Sequence, residues 1–239
     1  MARRATKAVR AYWDQAAERN AMYYVDTSLD YDAPDRDAFL AGGRAIADIA
    51  LDESKATLVG RSLAVEIGCG LGRICAALSE TFDRVVGVDI SEQMVSRARE
   101  LVTDPSVEFR LSDGVSLPGI ADGTADFVLT FTVFQHAPNR AVIRANIHEA
   151  ARVLRDGGVF AVQWNATPGV VRWRLHRLRM AVLGWVGRSD PRGRDAPQFL
   201  GSRVPLSAMD RMLTDAGLRR VALAEPDSLF TWAWAVRRR

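Results

Sequence analysis

The chain has 239 residues, 48% hydrophobic and 26% charged, a balance that fits one globular core and not a disordered polymer. A net charge of +3 is too small to grip a polyanion, so nucleic acid is not expected as a partner. Two cysteines, Cys69 and Cys75, cannot build a disulfide scaffold, and no apolar run approaches the ~18 residues of a membrane span, so a soluble cytoplasmic protein is expected.

Residues 5–20 predict a helix, because Val9, Tyr12, Trp13, Ala16 and Ala17 recur at three-to-four spacing. A loop rich in Asp, Ser and Pro follows from Asp26 to Asp35, then a second helix over 36–51. From residue 62 the pattern changes. Leu63–Ile67 is a short apolar run that ends in a glycine loop, and a helix over 72–81 comes next. Val85–Asp89 is a second strand, and Ser91 can cap a helix running to about Val102, since its hydroxyl can accept from free first-turn amides. Strands are expected at Val107–Leu111, Phe127–Val133 and Val159–Trp164, with a helix over 139–154 stopped by Asp156-Gly157-Gly158. Strands alternating with helices imply a parallel, doubly wound α/β sheet.

The carboxyl end breaks the alternation. After a helix over 206–216, strands near 219–224 and 230–237 are separated by a loop too short for a parallel crossover, so they must run antiparallel. The expected organisation is one domain: an amino-terminal helical cap (1–55), a cofactor-binding core (60–165), a helical lid insertion (166–203), and a final helix with two strands (204–239).

The chemistry concentrates at strand ends. Gly68-Cys69-Gly70-Leu71-Gly72 lets the backbone turn tightly and a ligand approach closely, and the helix beyond offers its positive end. Asp89 ends the second strand, 21 residues beyond Gly68, the reach of an acid that bonds ribose hydroxyls. Asp113-Gly114 ends the third. A dinucleotide fingerprint, G-x-G-x-x-G, would need glycine at 73, where this chain has Arg73. Arg73 could face an anionic group instead. Glu66, just before the loop, would repel a pyrophosphate but not an ammonium-bearing sulfonium.

These segments resemble the motifs of class I S-adenosylmethionine-dependent methyltransferases. Val65–Arg73 is similar to the first motif, Gly87–Ser91 to the segment after it, Ser112-Asp113-Gly114 to the adenine motif, Phe127–Pro138 to the fourth-strand motif and Leu154–Gly158 to the turn before strand five. The resemblance covers roughly residues 60–165 plus the terminal hairpin. It implies a Rossmann-like seven-stranded sheet with its final strand inserted antiparallel. It also implies S-adenosyl-L-methionine as cofactor, held by Gly68, Gly70, Asp89, Asp113 and the region of Thr130 and Phe131, with Glu66, Cys69, Arg73, Ile90 and Gly114 beside them. Trp13, Tyr23 and Tyr24 resemble the cap of small-molecule members, and would close the site on the acceptor together with Trp173 of the lid.

The acceptor is expected to be a small apolar or anionic metabolite with an oxygen, nitrogen or carbon nucleophile. His136 follows strand four at the carboxyl edge and is the candidate general base, because an imidazole titrates near neutrality; a positioning role is the bland alternative. No metal site is expected. Seven arginines and one acid between Arg172 and Arg194 make that stretch locally basic, which suits a lid or, less directly, peripheral contact of 170–194 with acidic lipid. Two other classes remain open: a nicotinamide-dependent oxidoreductase, for whose substrate domain the chain leaves little room, and a non-catalytic cofactor-binding regulator.

Overall fold

The computed structural model describes residues 2–54, 57–168, 175, 178–179 and 196–238. Helix α1, Ala2–Val25, is kinked at Asn20 (φ −163°, ψ 89°). There the Asn20 amide replaces lost helical bonds: Nδ2 donates to the Tyr31 carbonyl at 2.5 Å and Oδ1 accepts from the Tyr23 N–H at 3.1 Å. The regular part of α1 therefore ends where the apolar periodicity ends. Helix α2, Arg36–Asp52, starts at Asp35, whose carboxylate accepts from the Ala38 N–H at 2.7 Å.

The core alternates as expected: β1 (Ala64–Ile67), α3 (Arg73–Leu78), β2 (Val85–Asp89), α4 (Glu92–Leu101), β3 (Val107–Leu111), β4 (Ala125–Thr130), α5 (Arg140–Val153) and β5 (Leu154–Trp164). Ser91 caps α4 by accepting from the Met94 N–H at 3.1 Å. A short helix α6 (Pro197–Leu200), then α7 (Leu206–Asp215), β6 (Leu218–Ala224) and β7 (Thr231–Arg237) complete the chain. The seven strands form one sheet in the order β3-β2-β1-β4-β5-β7-β6. β1 pairs in parallel with β2 and β4, while β7 lies antiparallel between β5 and β6. Reversal of order on either side of β1 makes the crevice at the carboxyl ends of β1 and β4 the natural ligand site. One apolar layer packs Val65, Val128 and Phe160 under α5 and α7. The other packs Ala64, Phe127 and Ala161 under α2, α3 and α4. No helix among the described residues is long and apolar enough to cross a membrane.

Several element bounds differ from the expected ones; β5, for example, begins at Leu154 and not at Val159. Residues 112–124 cross from β3 to β4 without a helix, held down by buried Leu117 and Ile120. Strand β4 stops at Thr130, not Val133, because Thr132 sits at φ 59°, a left-handed conformation that opposes a β-branched residue. That turn is held from β5: the fully buried Gln163 accepts from the Thr132 N–H at 2.8 Å and donates to the Leu229 carbonyl at 3.0 Å.

Candidate functional site

A cavity of about 550 Å³ opens at the carboxyl ends of the parallel strands. Three glycines with positive φ, Gly68 (74°), Gly70 (51°) and Gly72 (78°), carry the chain from β1 to α3, and the first two line the cavity. Asp89 fastens that loop from the next strand. Its Oδ2 accepts from the Gly70 N–H at 2.9 Å and its Oδ1 from the Ser91 N–H at 2.8 Å. Burial pushes the Asp89 carboxyl above the usual range, although the Ser91, Gly70 and Ile90 N–H groups pull the other way. A ligand hydroxyl donating to this carboxylate would relieve that penalty.

Ile90, Ser112 and Gly114 continue the wall. Gly114 sits at φ 83°, where glycine is favoured, and a Cβ there would also crowd Ile90 Cδ1 at 2.7 Å and Thr6 at 3.1 Å. Helix α1 is sewn across this end: Thr6 donates to the Asp113 carbonyl at 3.0 Å, Arg10 to the Ser112 carbonyl at 2.8 Å, and Ser91 to the Asp14 carboxylate at 2.6 Å. Arg73 also lines the cavity, but its charge is engaged. It pairs with Asp26 and lies 5.2 Å from the centre of the Phe39 ring. Burial pushes Asp26 upward, yet Ser28 and Arg73 together hold it below its ordinary value.

At the other end His136 stands between two elements far apart in sequence. Its ring packs on Trp13 of α1 at 5.3 Å and on Phe199 of α6 at 5.0 Å. Nδ1 meets the Phe199 carbonyl oxygen, and Nε2 is 3.3 Å from Gln135 Nε2. Burial pushes the His136 imidazole down to about 4, so it is neutral near pH 7.

Of the residues expected at the site, Gly68, Gly70, Arg73, Asp89, Ile90, Gly114, Phe131, His136, Trp13 and Tyr24 line the cavity together. Five others stand behind its wall. Glu66 alternates to the opposite face of β1 from Ile67, where its carboxyl accepts from the Cys75 thiol at 2.9 Å. Cys69 is buried against Gly87. Asp113 turns back on its own loop, accepting from the Val115 N–H at 3.0 Å and the Ser116 hydroxyl at 2.8 Å. Thr130 is fully buried, and its hydroxyl has no hydrogen-bond partner among the described residues. Tyr23 packs edge-on against Tyr24 and Tyr31. Trp173 and most of the basic 170–194 stretch lie outside the described residues. The sequence reading missed Asp26, Gln135, Gln163 and Phe199. Asp26 was visible only as a polar loop residue, and Phe199 sits in a segment with no periodicity to flag it.

The Glu66 cluster gives a stability signature of its own. Burial raises the Glu66 carboxyl to about 8 and the Cys69 thiol to about 11. The folded state thus keeps a proton on Glu66 that the unfolded chain releases above its model value of 4.5. This contribution is fully present below that value and is lost as pH rises towards about 8. His136 acts oppositely, losing stability as pH falls from 6.5 towards about 4. Urea midpoints of Glu66→Gln measured from pH 5 to 8 are expected to lose the alkaline decline and keep the acid one; an unchanged alkaline limb would reject this assignment.

Comparison with known proteins agrees with this geometry. Residues 65–162 match the family model described as a methyltransferase domain. Over 112 residues the chain is 33% identical to the 2-methyl-6-phytyl-1,4-hydroquinone methyltransferase of Synechocystis sp., covering 46% of this chain and 34% of that one. It is 27% identical over 171 residues to a ubiquinone biosynthesis O-methyltransferase of Methylococcus capsulatus, covering 70% of this chain and 66% of that one. The matches span about a third of the length of the first curated relatives. Magnesium protoporphyrin IX methyltransferase from Synechocystis PCC 6803, solved with bound SAH, shares the fold at TM-score 0.64 and 19% identity, covering 98% of this chain and 99% of that one.

Proposed function

From a chain that carries the class I S-adenosylmethionine-dependent methyltransferase fold, with the matching domain over residues 65–162, we propose an enzyme that methylates a small-molecule acceptor. One observation carries the reading: a single cavity joins the Gly68–Gly70 loop and Asp89 at one end to Trp13 and His136 at the other. The residues present fit the cofactor. Left-handed Gly68 and Gly70 keep side chains out of the cavity wall there, Gly114 gives a narrow approach, and the half-buried Asp89 carboxylate faces the cavity.

Asp89 would accept the ribose hydroxyls, Ile90, Ser112 and Gly114 would flank the adenine, and the Gly68–Gly70 backbone would take the amino-acid end. S-adenosylmethionine supplies an already activated methyl group on a sulfonium. What the protein adds is alignment and exclusion of water. Trp13, Phe131 and Phe199 provide an apolar wall, and the neutral imidazole of His136, held down to about 4, would act as a weak base towards the proton released by the acceptor's nucleophile. Arg73 is neutralised by Asp26, so among the described residues it offers an anionic acceptor no free charge, which favours an uncharged, apolar one. Two buried free thiols, Cys69 and Cys75, fit a cytoplasmic setting.

Isothermal calorimetry with S-adenosylhomocysteine and with NADH tests the reading. One S-adenosylhomocysteine site and no NADH binding is the expected pair of results; the reverse would revive the oxidoreductase. Methyl transfer from labelled S-adenosylmethionine to a panel of apolar phenols, anilines and β-dicarbonyl compounds then separates an enzyme from a non-catalytic binder.

A further inference from the structure

His136 is held from both sides by groups that have only one way to bond. A carbonyl oxygen only accepts, so the Phe199 carbonyl requires a proton on His136 Nδ1. An amide nitrogen only donates, so Gln135 Nε2 requires a lone pair on His136 Nε2. The two requirements agree on one neutral tautomer. The reversed Gln135 amide would turn its oxygen towards Nε2 and demand a second ring proton, which the buried, aromatic surroundings of Trp13 and Phe199 oppose. In the observed orientation Gln135 Oε1 is buried without a partner among the described residues.

The carbonyl that makes this choice belongs to residues 199–202, just before α7, and these are clamped on the His136 loop. Ser202 N–H donates to the Gln135 carbonyl at 2.9 Å, and the Ser202 hydroxyl donates to the Ala137 carbonyl at 2.8 Å. Between them Gly201, at φ 52°, passes so close that a Cβ would lie 1.7 Å from the Gln135 carbonyl oxygen. No side chain fits there without driving the two segments apart.

We propose that residues 199–202 are a positioning element that fixes His136 as its Nδ1–H tautomer and so gives Nε2 the ring lone pair, which the Gln135 amide must release before Nε2 can accept a proton. The proposal rests on reading His136 as the base, and it makes Phe199, Gly201 and Ser202 positioning residues that need not touch the acceptor.

Long-range ¹H–¹⁵N spectra of the full chain labelled at histidine test this directly, with His136→Gln assigning the resonance. The spectra are recorded on protein alone, so they stand independently of the cofactor. The proton is expected on Nδ1 in the unsubstituted protein. Gly201→Ala should shift the tautomer ratio by roughly tenfold towards Nε2–H, the worth of one hydrogen bond. Ser202→Ala, which removes one bond and adds no bulk, should shift it the same way by less, and decides the matter if the Gly201 variant fails to fold. A proton on Nε2 in the unsubstituted protein, or an unmoved ratio in the folded variants, would overturn the proposal. Absent S-adenosylhomocysteine binding in parallel calorimetry would defeat the cofactor reading alone.

Discussion

Replacing Asp89 by alanine is expected to weaken S-adenosylhomocysteine binding by roughly 100- to 1000-fold. The estimate is the loss of two hydrogen bonds from ribose hydroxyls to a half-buried carboxylate, at about 1.5–2 kcal/mol each. The same substitution should move the stability of the ligand-free protein far less. Burial disfavours the Asp89 charge, so removing it relieves one cost, while the Gly70 and Ser91 N–H groups lose their acceptor and add another. These opposed effects leave a small residue. Thermal melts should therefore show variant and parent close together alone, and separated once ligand is added, because only the parent gains ligand stabilisation. Calorimetry showing unchanged affinity would remove Asp89 from the binding site. A large drop in ligand-free stability would mean that its tie to the loop outweighs its contact with ligand.

The placement of the glycine loop and Asp89 at one site was legible before any coordinates, though the bond between them was not. A glycine loop after one strand and an acid at the end of the next must meet when β1 and β2 pair in parallel, and the Ile67–Val88 register brings them together. The antiparallel insertion of β7 was legible in the same way, from a connection too short to cross over. Glu66 shows what a motif conceals. Matching by position puts it beside the cofactor, but strand alternation sends it to the other face, towards Cys75. The Asp113 carboxylate turns from the cavity for a different reason, since a short carboxylate in a turn readily bonds its own backbone N–H groups. Phe199 and Asp26 belong to a third kind. Their roles arise from contacts with His136 and Arg73, 63 and 47 residues away, and no local pattern encodes such a meeting.

One such meeting underlies the second large effect. Gly68 sits at φ 74°, and a Cβ there would fall 2.2 Å from Val133 Cγ2. Gly68→Ala is expected to destabilise the protein by about 2–4 kcal/mol: about 1–2 for holding alanine in the left-handed region and about 1–2 for the collision. The two terms are separable. Val133→Ala removes the methyl groups that collide and leaves the backbone term untouched. The double variant should then recover the steric share, giving a favourable coupling of about 1 kcal/mol or more in a double-mutant cycle. Urea denaturation of the four proteins measures it, and strict additivity would show that the collision is relieved by other means. Binding adds a second readout. Val133 leads directly into Gln135 and His136 on the cavity wall, so a shift at Gly68 displaces both ends of the site. Gly68→Ala should weaken S-adenosylhomocysteine, and the double variant should restore part of that affinity, which loop strain at Gly68 alone would not do.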